Sequence, residues 1–312
     1  MSTSSNSAYL WRLTLVATLG GLLFGYDTAV ISGTVSSLEK FFVQPFGLSE
    51  AASNARLGFL VSSALIGCII GGVFGGVISK KYGRKNGLIL AAVLFLISAL
   101  GSAMPEMFVL PIGQGDHSFY NLFVIYRIIG GIGVGLASML SPLYIAEIAP
   151  AESRGKLVSM NQFAIIFGML VVYFVNYFIA RHGDATWLNT IGWRWMFASE
   201  IIPATLFLLF LFSVPDTPRS LVLQAKEDQA LAVLIKVNGP EVAQHILADI
   251  KNTVTTHSGK LFSYGLPVII IGVLISIFQQ FVGINVVLYY APEIFKSMGS
   301  GTDTALLQTI IV

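Results

Sequence analysis

Seven stretches of this sequence are too long and too apolar for a water-soluble core. They fall near residues 10–33, 56–79, 87–104, 120–145, 157–180, 193–213 and 264–291, and an eighth opens at Ala305. A helix that crosses the ~30 Å hydrocarbon layer needs about 20 apolar residues at 1.5 Å each, and every one of the seven is of that order. Charged residues make up 11% of the chain, against about 25% in a soluble domain. The expected class is an all-α membrane protein. Met1 to Tyr9 is polar, lacks a basic leader and is followed by no small-residue cleavage pattern, so the first run reads as a retained transmembrane helix and not a signal peptide.

Pro215 to Phe262 is different in kind: polar, with two amphipathic helices expected over Ala225–Val237 and Val242–Thr253 at the membrane surface. It divides the chain into a transmembrane six-helix unit (1–213), a linker (214–263) and the start of a second transmembrane unit (264–312). Basic residues then set the orientation. Arg12, Lys80, Lys81, Arg84, Lys85, Arg154, Lys156, Arg219, Lys226, Lys236, Lys251 and Lys260 fall on one side. The other side holds only Lys40, Arg56, Arg181, Arg194 and Lys296, with acids among them. The side rich in Lys and Arg faces the cytoplasm, which places the N-terminus and the linker there.

Three ionisable residues interrupt the apolar runs. Asp27 sits in the glycine-rich stretch Gly20 to Gly33, Arg127 in the fourth run and Glu200 in the sixth. With alternating helix directions each lies about seven residues, or ~10 Å, from the outer face. A carboxylate at such a level faces a bundle interior or an aqueous cavity. Asp27 and Arg127 read either as a structural ion pair or as a proton-coupling device. One Arg cannot neutralise both Asp27 and Glu200, so one of the acids is expected to bind a proton for part of a cycle.

Polar side chains mark two more spans. Gln162, Ile166, Met169, Tyr173 and Asn176 share one face of the fifth, placed either to line a cavity or to hydrogen-bond between helices. The seventh carries Gln279, Gln280 and Asn285. On an ideal helix Gln280 and Asn285 are about 140° apart, so either the helix is distorted near Gly283 or the amides do not share a cavity. Gly130-Gly131-Ile132-Gly133-Val134-Gly135 lies inside a hydrophobic helix with no strand before it, and reads as close helix packing, not a nucleotide loop. Phe24-Gly-Tyr-Asp27 is faintly echoed by Phe281-Val-Gly-Ile-Asn285, as in a repeated transporter half.

Other functions are poorly served. Net charge is +2, too small to suggest nucleic acid. The single cysteine, Cys68, reads as packing, and His117, His182, His245 and His257 as separate solvated residues. No metal site, cofactor or catalytic constellation is expected, so the chain does not read as an enzyme. Amides donate and accept, as sugar hydroxyls do. A neutral polyhydroxylated solute is the best chemical fit.

The motifs resemble the sugar porters of the major facilitator superfamily, and within them the bacterial D-xylose–proton symporters. The matching stretches are Gly20 to Gly33, Lys81-Tyr82-Gly83-Arg84-Lys85, Tyr126 to Gly135, Pro142 to Glu147, Arg154-Gly155-Lys156-Leu157, Gly192-Trp193-Arg194, Pro215-Asp216-Thr217-Pro218-Arg219 and Gln279 to Pro292. The resemblance implies an N-terminal six-helix bundle followed by the seventh helix and the start of the eighth. It implies monosaccharide–proton symport by a monomer in the bacterial inner membrane, with a proton-independent facilitator or a non-transporting sensor as alternatives. Phe24, Gln162, Gln279, Gln280 and Asn285 would bind sugar, and Asp27, Arg127 and Glu200 would couple the proton. Gly83, Arg84, Glu147, Arg154 and Arg219 would form a cytoplasmic gate. Lys85 departs from the usual Arg, Asp216 from Glu, Ser220 from Trp and Met169 from Gln, the last opening the substrate to hexoses. At 312 residues the chain is expected to be a fragment of a twelve-span transporter, unable to transport alone.

Overall fold

The computed structural model describes residues 7–111, 113–256 and 265–311. Among them there are helices and no strands. The first five spans are α1 (Ser7–Val30), then, after a short α2 (Val35–Leu38), α3 (Glu50–Tyr82), α4 (Arg84–Ala103), α5 (Tyr120–Ile148) and α6 (Arg154–Ala180). The sixth is assembled from α7 (Ala185–Trp187), α8 (Trp193–Ala198) and α9 (Ile201–Phe212). Three helices follow outside the bundle, α10 (Pro218–Leu223), α11 (Glu227–Asn238) and α12 (Pro240–Thr256), then α13 (Leu266–Phe281), α14 (Ile284–Ser297) and α15 (Thr302–Ile311). Among the described residues, seven helical segments are long and apolar enough to cross a membrane.

Two expected spans are broken where their chemistry demands it. In the sixth, Pro203 has no N–H to offer the Ser199 carbonyl, which takes the Ile202 N–H at 3.4 Å instead. The turn leaves Glu200 between α8 and α9. In the seventh, Gly283 adopts φ +78° and separates α13 from α14. That region of φ suits glycine and few other residues.

Close backbone approach binds α1 to α6 and α3 to α5. A Cβ on Gly25 would strike the Ile165 carbonyl, and one on Gly168 the Leu22 carbonyl. Likewise Gly131 lies against the Ala64 carbonyl and Gly135 against that of Cys68. Small residues let helices associate where lipid tails remove the hydrophobic incentive, so the glycine run of the fourth span is packing. Cys68 itself is half-buried among apolar neighbours.

The helices after the bundle are not free on a surface. Ala230, Val233 and Val237 of α11 join the cluster that contains Leu10 and Leu13 of α1, and Lys251 of α12 bonds Glu227 at 2.6 Å. Their amphipathic pattern is used, at least by α11, to dock on protein. Of the histidines, His182 and His245 are exposed. His117 is half-buried with its ring edge-on to Phe46 at 5.0 Å, so it packs where solvation was expected. His257 and Lys260 lie outside the described residues.

Gly131→Ala places its new methyl against the Ala64 backbone and should destabilise the bundle by about 1–3 kcal/mol. Gly72→Ala meets nothing within 4 Å and should be neutral or stabilising by up to ~1 kcal/mol from helix propensity. Thermal unfolding in detergent distinguishes the two.

Candidate functional site

Asp27, Arg127 and Glu200 come together in the interior. They are 1%, 2% and 0% exposed. Arg127 Nη1 donates to Asp27 Oδ1 at 2.7 Å, and Nη2 reaches the Asp27 backbone carbonyl at 3.4 Å. The guanidinium also lies over the Phe197 ring at 5.4 Å. Gly130 supplies the space: a Cβ there would strike Ser98 Oγ and lie 3.5 Å from Asp27 Oδ1. Asp27 Oδ2 and both Glu200 oxygens are buried without a hydrogen-bond partner. Next in the chain, Tyr26 OH meets Ser199 Oγ at 2.7 Å, tying α1 to the turn that carries Glu200.

The amides divide. Gln162 is exposed, Met169 half-buried and Phe24 half-buried against the core. Higher on the same face, Tyr173 and Asn176 are buried. Asn176 Nδ2 donates to the Val30 carbonyl at 3.2 Å, so the far end of the stripe is an interhelical bond and not cavity lining. In the seventh span the break at Gly283 resolves the 140° conflict, since Asn285 Nδ2 donates to Gln280 Oε1 at 3.0 Å. Gln279 and Gln280 are exposed. Among the described residues no hydrogen bond joins these three amides to Gln162 or Phe24.

At the end of the bundle where α3 meets α4, here the basic end, Arg84 Nη2 pairs with Glu147 Oε1 at 2.7 Å. Glu147 Oε2 accepts from Thr217 Oγ1 at 2.6 Å. Asp216 is the centre of this network. Its Oδ1 accepts the Arg84 and Lys85 N–H groups at 3.1 Å and that of Thr217 at 2.8 Å, and its Oδ2 accepts from Ser220 Oγ at 2.7 Å and Gln224 Nε2 at 3.2 Å. Gly83, at φ +90°, is required because a Cβ would collide with that carboxylate. Arg154 and Arg219 stand apart: with Glu147 they line a cavity of about 490 Å³, but neither forms an ion pair among the described residues. Arg154 reaches only the Ala149 carbonyl, at 3.4 Å.

The opposite end holds an ion pair that the sequence reading missed. Arg194 Nη1 contacts both Glu106 oxygens, at 2.7 and 2.9 Å, and the Ala103 carbonyl at 3.1 Å. The Gly113 N–H donates to Glu106 Oε1 at 2.7 Å. Burial would push the Glu106 carboxyl up, but Arg194 and the backbone N–H groups outweigh it and hold the carboxyl below its ordinary value. The signal available was Glu106 in an apolar loop, with Arg194 in the Gly-Trp-Arg triplet. A second missed contact links α2 to α14, where Ser36 Oγ donates to Glu293 Oε1 at 2.8 Å and accepts from Lys296 Nζ at 3.0 Å.

The family model described as Sugar (and other) transporter matches residues 13–312. The chain belongs to that family. It is 61% identical to the D-xylose-proton symporter of Escherichia coli, an alignment covering 100% of this chain and 65% of that protein. It is 39% identical to the glucose facilitated diffusion protein of Zymomonas mobilis, covering 100% and 66%. The chain thus spans 65% of the length of the first of these. Among solved structures it resembles the major facilitator superfamily symporter XylE bound to 6-bromo-6-deoxy-D-glucose, with TM-score 0.92 at 61% identity, covering 98% of this chain and 66% of that one. It also resembles the partially occluded inward-open XylE of E. coli, with TM-score 0.89 at 60% identity, covering 97% and 69%. The fold is that of a major facilitator superfamily transporter.

Asp216→Ala removes five acceptor contacts at the basic end and should cost about 2 kcal/mol, with Ser220→Ala nearer ~1 kcal/mol; thermal unfolding reads both. Because the folded Glu106 carboxyl titrates below its unfolded value, its contribution is present above the ordinary Glu range, near ~4.3, and is lost as pH falls through the folded value. Glu106→Gln should remove that part of the acid dependence and cost on the order of 3 kcal/mol at neutral pH by leaving Arg194 buried and unpaired. Unfolding followed against pH for both chains checks the sign.

Proposed function

We propose that the full-length protein carries a neutral monosaccharide, xylose or a related pentose or hexose, across a bacterial inner membrane together with a proton. The observation that carries this reading is the buried trio of Asp27, Arg127 and Glu200, in which one guanidinium serves two carboxyls. With Arg127 paired to Asp27, both Glu200 oxygens are buried without a partner, which suits an acid that takes a proton for part of the cycle. Protonation of Asp27 would release Arg127 toward Glu200. The exchange gives the interior two charge arrangements, and sugar and proton would each bias the same alternation of access. Identity of 61% to a D-xylose-proton symporter supports both the solute class and the coupling.

In this reading Phe24, Gln162, Gln279, Gln280 and Asn285 serve the sugar. The exposure of Gln162 and the bond between Gln280 and Asn285 across the break at Gly283 suit a polar lining. Gly83, Arg84 and Glu147 serve a gate at the basic end, with Arg154 and Arg219 as its remaining cations. The basic end faces the cytoplasm by the distribution of Lys and Arg. Residues 1–213 form one transmembrane unit, 214–263 a cytoplasmic linker and 264–312 the start of a second. The protein works as a monomer, transports without chemical conversion and needs no cofactor.

Asp27→Asn in the full-length protein should abolish uphill sugar accumulation driven by a pH gradient while leaving sugar exchange in proteoliposomes. Sugar addition to lightly buffered cells should alkalinise the medium with Asp27 and not with Asn. Accumulation surviving in Asp27→Asn, or uptake with no proton movement in the unsubstituted protein, would favour a facilitator and sink the coupling.

A further inference from the structure

A groove of about 660 Å³ runs along the outside of the bundle between α1, α6 and α9. Its walls are apolar, chiefly Leu15, Leu19, Leu22, Phe163, Phe167 and Phe210, and Arg12 stands at its basic-end mouth. The two hydroxyls on the wall are already used, Thr18 on the Leu15 carbonyl and Ser213 on that of Phe210. Arg12 is exposed and donates from Nη2 to the Ser213 carbonyl at 3.0 Å. No ion pair neutralises it among the described residues, and a guanidinium has five N–H donors. The groove therefore offers one anion-binding head and a long dry body.

We propose that this groove binds one membrane phospholipid, with its phosphate on Arg12 and one acyl chain along Leu15, Leu19 and Leu22 against the wall of the Phe163 and Phe167 rings. The length fits. Arg12 to Leu22 is ten residues, about 15 Å along α1, and half of a ~30 Å hydrocarbon core is one leaflet. Charge fits as well, because basic pockets between transmembrane helices on the side rich in Lys and Arg attract lipid headgroups. Direction excludes a competing occupant from the seventh span. Taken at 100° per residue, Met160, Phe163, Ala164 and Phe167 point about 150° away from the Gln162–Tyr173 face of α6, the face on which Tyr173 OH reaches the Leu288 carbonyl at 3.5 Å. Phe163 and Phe167 stack nearly parallel, 13° apart with centroids at 6.1 Å, forming a flat wall suited to a methylene chain. The proposal requires only that the spans cross a bilayer, and it stands whether or not transport is proton-coupled.

Native mass spectrometry of the purified 312-residue chain with added phosphatidylglycerol tests it. One lipid adduct should survive detergent removal. Arg12→Ala should lower its occupancy about fivefold, Arg12→Lys should keep most of it, and Ala164→Trp should lower it by filling the groove with the cation intact. Inorganic phosphate alone should not bind. Adducts unchanged in both Arg12→Ala and Ala164→Trp would mean unspecific annular lipid and overturn the proposal. A second measurement needs no variant at the site. Three of the four tryptophans (Trp187, Trp193 and Trp195) lie at the opposite end of the bundle, so the difference in fluorescence between the chain and Trp11→Phe reports the mouth of the groove. Phosphatidylglycerol brominated on one acyl chain should quench that signal saturably, with recovery on adding unbrominated lipid; quenching linear in lipid overturns the proposal.

Discussion

Everything in the interior is arranged around a charge that hydrocarbon will not accept. Asp27 is buried on α1, and only the Arg127 guanidinium at 2.7 Å makes that tolerable. Taking one member away from such a pair leaves an uncompensated buried charge, at a cost of about 3–5 kcal/mol. That cost fixes α1 against α5 at one depth and one rotation. Glu200, buried without a hydrogen-bond partner, adds a second carboxyl to the same interior, and one guanidinium cannot neutralise two ionised acids. In the proposed cycle a packing device and a switch thus occupy the same atoms, and the stability of the bundle and its response to protons have one origin.

The glycines make that meeting possible at the required distance. Gly130, one turn from Arg127, leaves room for Asp27 and Ser98. Gly131 and Gly135 let α3 lie directly on α5, and Gly21, Gly25 and Gly168 do the same for α1 and α6. A helix pair spaced by larger side chains would separate Asp27 from Arg127 by more than a hydrogen bond, so small residues at the interfaces and charge at the centre are one design. The breaks at Ser199–Glu200 and at Gly283 serve the same economy of space. Each interrupts an otherwise apolar span beside a polar side chain that needs to leave the helix's regular course.

The spans, the charged trio and the packing glycines were legible because each follows from a local rule: twenty apolar residues, an acid that cannot face lipid, and small residues repeated along one helix face. The break at Gly283 was legible only as a conflict between Gln280 and Asn285, since a 140° separation states that something gives way without saying what. Asn176 was left open between cavity lining and an interhelical bond because period alone puts it with Gln162, and only the position of α1 decides that its amide meets the Val30 carbonyl. Glu106–Arg194 and Ser36–Glu293–Lys296 join residues 88 and 257 to 260 positions apart in sequence. No spacing rule reaches that far, and charges near loop ends look solvated until the tertiary fold closes over them. Asp216 illustrates the same limit: a shortened acid beside Ser220 looked like a departure, yet the two side chains bond each other and Asp216 still reaches both backbone N–H groups at the start of α4.

The two ends of the bundle are tied in different ways, and the difference bears on how such a protein moves. At the basic end every strong contact, Arg84–Glu147, Glu147–Thr217 and the five bonds to Asp216, lies within residues 83–224. None of them reaches the seventh span. At the opposite end Ser36 holds Glu293 and Lys296 of α14, whereas no residue of α13 is buried. The seventh span meets the bundle beyond Gly283, through Ser36 and the buried Tyr289. Glu293 and Lys296 pair with each other within α14 and share Ser36 as their contact across the bundle, while Tyr289 and Leu306 pack into the apolar cluster at the same end. For a proposed alternation of access, the contacts of the seventh span that would have to part therefore lie at the end opposite the basic network, and a ligand shifts the population only by its differential affinity for the two arrangements.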